Sequence, residues 1–147
     1  MKNQGSHNDI GCLIKIIDKK IIKEINKNLV KFNLTATQEK VLWIIYYGQK
    51  KGDVFQKDIE RVLDLSNPTV TGIVKRLEEK KMIKRISSSE DARYRCLTLT
   101  EDGLKIIYEC MDFGVNHIEK KLTKNMGEDD IRTLKLLLNR VIDNMNE

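Results

Sequence analysis

"QKDIERVLDLSNPTVTGIVKR", Gln56–Arg76, decides the fold. Gln56 to Leu63 reads as a short helix with Ile59, Val62 and Leu63 turned inward. "DLSN" then reads as a tight turn. Ser66 is a good N-cap, because its hydroxyl can accept from an orphan N–H of the following helix. Pro68 falls near the first turn, where a missing N–H matters little. Val70, Ile73, Val74 and Leu77 recur at helical spacing, which predicts a buried stripe on a helix running to about Lys81. Helix, tight turn and helix in this order make a helix-turn-helix.

Working outward, Ile83 to Ile86 and Tyr94 to Leu99 alternate like strands. Ile83, Leu97 and Leu99 can pin such a hairpin to the body. Ser87–Arg93 is left as a projecting tip that its serines predict to be flexible and polar. A hairpin after a helix-turn-helix is a wing. Upstream, the apolar spacing predicts an amphipathic helix from about Asn8 to Lys31, then a second, capped by Thr35 or Thr37, to about Tyr47. Downstream, Thr100 caps a long helix to about Lys124, "NMGEDD" breaks it, and Ile131 to Met145 carry the stripe of a last helix. The fold class is mainly α with a small β-hairpin: a winged helix-turn-helix with N- and C-terminal dimerisation helices. We read residues 1–147 as one domain, with 35–100 the winged part and 1–34 and 101–147 the dimerisation helices.

Charge and composition narrow the function. Of a net +5, residues 1–34 carry 7 basic and 3 acidic side chains, 35–100 carry 13 and 9, and 101–147 carry 7 and 10. Positive charge gathered away from the C-terminal helices suits a polyanionic partner. The three cysteines, Cys12, Cys96 and Cys110, are far apart and form no CxxC pair, which points to reduced thiols in a cytoplasmic protein. "MKNQGSHND" lacks the apolar run of a signal peptide, and no apolar stretch approaches the length of a membrane span. No Gly-rich phosphate loop, nucleophile elbow or paired acid and base appears, so neither an enzyme nor a cofactor is expected. His7 and His117 alone, without HxxxH spacing, give no zinc site.

The helix-turn-helix supplies candidate contacts for double-stranded DNA. With the Val70 stripe inward, Asn67, Thr69, Thr71, Gly72, Lys75 and Arg76 face outward. Short polar groups can approach base edges and phosphates closely, and Lys75 and Arg76 can reach either. The helix N-terminus at Ser66 favours a phosphate, and Lys57 on the preceding helix is a further candidate. An arginine at the wing tip can enter a narrow minor groove. Arg93 is that residue, Asp91 can hold its guanidinium in a fork-like pair, and Arg95 is a phosphate candidate.

The segment from Leu34 to Gly103 closely resembles the multiple-antibiotic-resistance regulator (MarR) family. "LSNPTVTGIVKRLEEK", the D-x-R of Asp91 and Arg93, and "LTLTEDG" leading into a long helix carry the resemblance together. It implies a homodimeric winged-helix transcription factor of six helices, usually a repressor, on a palindromic operator. It implies that the arginine matching Arg93 reaches the minor groove with the aspartate matching Asp91 in support. Many such proteins release DNA when a small aromatic or phenolic effector binds, while others respond to oxidants or metals. The terminal stripes are too long for one winged domain to cover, which independently suggests a partner copy. Two-fold symmetry would set the recognition helices about 34 Å apart, one DNA turn.

Two residues depart from the family pattern. Lys81 stands where many relatives end the recognition helix with glycine, and Glu60 where a small residue is common. Cys12 lies near the position of a sensing cysteine in relatives that respond to organic hydroperoxides. A redox-responsive regulator acting through Cys12 is therefore one alternative reading. A winged-helix protein–protein interaction module is another, but it would expose apolar residues where this chain shows Asn67, Thr69, Thr71, Lys75 and Arg76.

Overall fold

The computed structural model describes residues 8–147. His7 and the start of "MKNQGSHND" lie outside the described residues. The chain divides into two compact units, Met1–Met111 and Asp112–Glu147.

The first unit opens with α1, Ile10–Leu29, whose N-cap Asp9 accepts the Cys12 N–H at 2.8 Å. Only the C-terminal end of α1 is buried, at Asn28 and Leu29, and Ile10, Leu13, Ile14, Ile16, Ile17 and Ile22 are exposed. After a 3-10 turn at Val30–Phe32, α2 spans Ala36–Gln49. Thr35 is its cap: Thr35 Oγ1 accepts from Gln38 N–H and Gln38 Oε1 accepts from Thr35 N–H, both at 3.1 Å. This reciprocal box satisfies two orphan donors at once. α3 is Gln56–Leu63, α4 is Asn67–Glu79, and the antiparallel strands β1 (Ile83–Ser87) and β2 (Arg95–Leu99) follow, paired Ile83 to Leu99 and Ser87 to Arg95. One core joins them, with Val41, Leu42, Ile45, Ile59, Val70, Val74, Leu77 and Ile107 fully buried.

Three differences from the sequence reading stand out. Val62 is 61% exposed, not inward. A two-turn helix buries one narrow row, and Ile59 with the partly buried Leu63 fills it. The helix expected to reach Lys81 ends at Glu79, and Lys81 adopts φ 58°. Lys81 N–H donates to Glu78 O at 2.9 Å and Met82 N–H to Leu77 O at 3.0 Å. This pair of bonds is the Schellman closure that usually employs glycine. Finally, the long helix after Thr100 is three successive segments: α5 (Glu101–Phe113), a π-helical stretch Gly114–Glu119, and α6 (Lys120–Leu122).

The second unit holds the end of α5, the π-helical stretch, α6 and α7, Glu128–Met145. Glu128, Asp129 and Asp130 occupy the first turn of α7, where the helix dipole favours acids. No residue of α7 is buried, and Leu134, Leu136, Leu137, Leu138, Ile142 and Met145 are all exposed.

Candidate nucleic-acid interface

The α3–α4 turn is closed by Asp64, in the left-handed conformation at φ 51°, with Leu65 N–H donating to Glu60 O at 3.1 Å. Aspartate tolerates that region better than most side chains. Ser66 caps α4: its Oγ accepts from Thr69 N–H at 3.4 Å and lies 2.9 Å from Thr69 Oγ1. Val70, Ile73, Val74 and Leu77 are buried, as the spacing predicts. Asn67, Thr69, Thr71, Lys75 and Arg76 are exposed on the opposite face. Lys57, on the first turn of α3, is exposed too. Among the described residues none of Lys57, Lys75 and Arg76 forms a salt bridge. At Gly72 an added Cβ would meet no atom within 4 Å. Packing within the chain therefore does not require glycine there, although glycine inside a helix is unfavourable by about 1 kcal/mol relative to alanine.

Two residues absent from the sequence-derived candidates belong to this face. Gln56 Nε2 donates to Thr71 Oγ1 at 2.8 Å, and Asn67 Nδ2 donates to Glu60 Oε2 at 3.4 Å. Glu60 therefore points outward and leaves the helix pair's packing to Ile59. The available signal was spacing: 56 and 60 on one helix, 67 and 71 on the next.

The wing carries the expected fork. Asp91 accepts from Arg93 Nε at 3.1 and 3.2 Å, from an Arg93 terminal nitrogen at 2.7 Å, and from the Arg93 backbone N–H at 3.0 Å. The Arg93 side chain is 85% exposed. The Arg93 guanidinium holds the Asp91 carboxyl below its usual range, and the Asp91 carboxylate in turn raises Arg93. A charge-assisted bidentate pair fixes the plane of the guanidinium. Arg95 is exposed and donates back to Arg85 O at 3.2 Å, while Arg85 Nε donates to Glu78 Oε1 at 2.9 Å. Tyr94, which the sequence did not single out, is 61% exposed beside them.

Two of the three serines, Ser88 and Ser89, are tied back to Asp53 instead of standing free at the tip. Ser88 is 7% exposed. Asp53 Oδ2 accepts from Ser88 Oγ at 2.6 Å, Ser89 N–H at 3.0 Å and Ser89 Oγ at 3.1 Å. These donors, Ser88 first, keep the Asp53 carboxyl below its ordinary value. Next to Asp53, Val54 O accepts from Leu97 N–H at 2.7 Å and so adds a one-residue bridge to β2. Gln49 Oε1 accepts from Thr98 Oγ1 at 3.0 Å and Leu99 N–H at 3.2 Å. The loop after α2 thus clamps the root of the wing, and only the turn carrying Asp91 and Arg93 projects.

The thiols differ in character. Burial and the nearby Asp53 charge raise the Cys96 thiol, and burial pushes Cys110 up to about 11, so neither is poised as a thiolate. Cys12 is partly exposed. No group of three or more His, Cys, Asp and Glu among the described residues could hold a metal ion. None of the described helices is long and apolar enough to cross a membrane. An open groove of about 520 Å³ lies between α2 and α3, lined in part by Trp43, Tyr47, Lys51, Asp53, Val54 and Val62. Trp43 and Tyr47 stack along it at 5.6 Å between ring centroids, while Tyr46 is buried behind them.

A sequence model described as the MarR family matches residues 34–94. The multiple antibiotic resistance protein MarR of Salmonella typhimurium is 30% identical over 90% of this chain and 90% of its own length. Among solved structures, S. aureus MepR bound to ethidium bromide is 25% identical, with a TM-score of 0.69 over 93% of this chain and 97% of that one. The S. aureus MepR–DNA complex, 23% identical, shares the fold with a TM-score of 0.70 over 96% of this chain and 99% of that one.

Proposed function

Because the chain belongs to the MarR family of winged-helix transcriptional regulators, we propose that it is a cytoplasmic, homodimeric repressor of a pseudo-palindromic DNA operator, released by a small aromatic or phenolic effector. The observation that carries this reading is the Asp91–Arg93 fork held on a clamped wing, next in sequence to a helix whose exposed face is polar and cationic. Asn67, Thr69, Thr71, Gly72, Lys75 and Arg76 face the major groove, with Ser66 and Lys57 toward phosphates. Arg93 enters the minor groove with Asp91 behind it, and Arg95 meets the backbone.

The exposed apolar rows of α1 and of α7 each ask for cover, and a second copy supplies it. In domain terms, 35–100 reads DNA, and 1–34 with 101–147 builds the dimer. The open groove supports the effector part. It offers a stacked aromatic wall, and its lining includes Asp53 and Val54, the residues that hold the wing root. The polar exposed face of α4 speaks against a protein-docking module, which would present apolar groups there.

Arg93→Ala should weaken binding to the duplex that the wild type selects by about tenfold, with no change in unfolding midpoint. Wild-type affinity should also fall steeply with salt, as phosphate neutralisation releases counterions. Mobility-shift titrations read both. An unchanged affinity for Arg93→Ala removes the wing from the interface, and a flat salt slope removes DNA.

A further inference from the structure

On the outward face of α3 and α4, Gln56 and Glu60 stand four residues apart on one helix, and Asn67 and Thr71 four apart on the other. Residues at that spacing share a helix face. The two faces meet in two rungs, Gln56 to Thr71 at 2.8 Å and Asn67 to Glu60 at 3.4 Å. Buried Ile59, Val70, Ile73 and Val74 already hold the helices together from the other side. Exposed side-chain bonds add little to that packing. Glu60 also sets a negative charge on the same helix as the exposed cation Lys57, three residues before it, where a surface built only for phosphate would carry none.

The rungs use donors of Gln56 and Asn67 and one oxygen of Glu60. The second carboxylate oxygen of Glu60 remains, and an ionised carboxylate can only accept. In the major groove the amino donors are cytosine N4 and adenine N6, whereas guanine O6 and N7 and thymine O4 are acceptors that would repel it. The remaining amide oxygen and N–H of Gln56 match the N6 and N7 edge of adenine. We propose that Gln56 and Glu60 form a second base-reading row, held in register with α4 by these rungs, and that Glu60 selects cytosine or adenine as the base it faces and rejects guanine or thymine there. Selection by rejection is a usual way to raise specificity. This rests on the DNA-binding reading above and names residues and a base preference which that reading does not.

The test is selection from a random duplex pool by the full-length wild type, Glu60→Gln and Glu60→Ala, followed by titration of single-base-pair variants of the chosen site. Glu60→Gln keeps an acceptor for Asn67 and removes the charge. It should erase a preference of about tenfold at one position per half-site, leave the other positions unchanged, and tighten binding to unrelated duplex severalfold. A merely structural Glu60 would instead give Glu60→Gln the wild-type profile, and Glu60→Ala at most a uniform loss at every position. Either result overturns the proposal while leaving DNA binding intact. A wild type that enriches no sequence would overturn the DNA-binding reading and this one with it.

Discussion

α4 and the wing bring cations to an exposed face by different routes. In α4 everything needed lies within a few residues: Ser66 caps Thr69, Pro68 sits in the first turn, and four apolar residues at helical spacing bury one side. The wing is held from far along the chain. Ser88 and Ser89 reach Asp53, Thr98 and Leu99 reach Gln49, and Leu97 pairs with Val54. Its exit is closed the same way: Thr100 N–H donates to Met82 O at 3.0 Å, Thr100 Oγ1 donates to Lys81 O at 2.6 Å and accepts from Gly103 N–H at 3.0 Å. A locally specified helix tolerates change on its outer face. A wing tied at many points should fail wherever one tie is displaced.

Two glycines put this difference to its largest test. A Cβ at Gly103 would lie 2.0 Å from Met82 O and 3.0 Å from Met82 C, backbone atoms that cannot move without displacing β1. Gly103→Ala should therefore lose about 2–4 kcal/mol of stability, toward the upper end of overpacking effects. Gly72→Ala, whose Cβ meets nothing within 4 Å, should gain up to about 1 kcal/mol from helix propensity. Denaturant midpoints at one fixed protein concentration check both, since a dimer's stability depends on concentration. Equal effects at the two positions would erase the contrast. Gly72→Ala should still weaken DNA binding if a phosphate or base approaches the helix there.

A smaller effect, confined to the wing, is expected from Asp53→Ala. It removes the acceptor of all three serine donors. Exchange of the Ser89 amide proton should accelerate at least about tenfold, while amides in the middle of α4 keep their protection. The pH dependence follows from the lowered carboxyl. Its stabilisation is fully present above the ordinary value of 3.8 and is lost only as pH falls below it, through the still lower folded value. Wild type and Asp53→Ala should thus differ at neutral pH and converge in strong acid. A difference that vanished near neutrality would show that the carboxylate is not what holds the serines.

The same distinction governs what could be read from the sequence. Thr35, Ser66 and the Val70 stripe were legible because a cap and its partner, or one helix face, lie within a turn or two of each other. The Asp91–Arg93 fork was legible for the same reason, at a separation of two residues. A serine run such as that around Ser88 favours loops, and nothing near it in sequence names Asp53, 35 residues away. The exposure of Val62 is hidden in the sequence because eight residues of α3 cannot distinguish a one-residue row from a two-residue row. Gln56 and Glu60 show their role only once α4 is folded back against α3.

The smallest predicted effect falls at the joint between the two regions. Lys81 is the one lysine among the described positive-φ residues; the others are Asn33, Asp64 and Asn125, types that accept that region more readily. It is held there by its own N–H to Glu78 O and by Met82 N–H to Leu77 O, with Met82 buried at 7% as the apolar partner that accompanies such a closure. Left-handed backbone disfavours a side chain by about 1–2 kcal/mol, and glycine returns part of that gain through greater freedom in the unfolded chain. Lys81→Gly should therefore stabilise the protein by about 1 kcal/mol, raising the thermal midpoint by roughly 2–4 °C at this chain length. The gain should appear with no change in wing exchange rates, because the closure already has its final geometry. A loss of stability would mean that the Lys81 side chain contributes more than its backbone strain removes, and that the joint belongs to the tied wing and not to the locally specified helix.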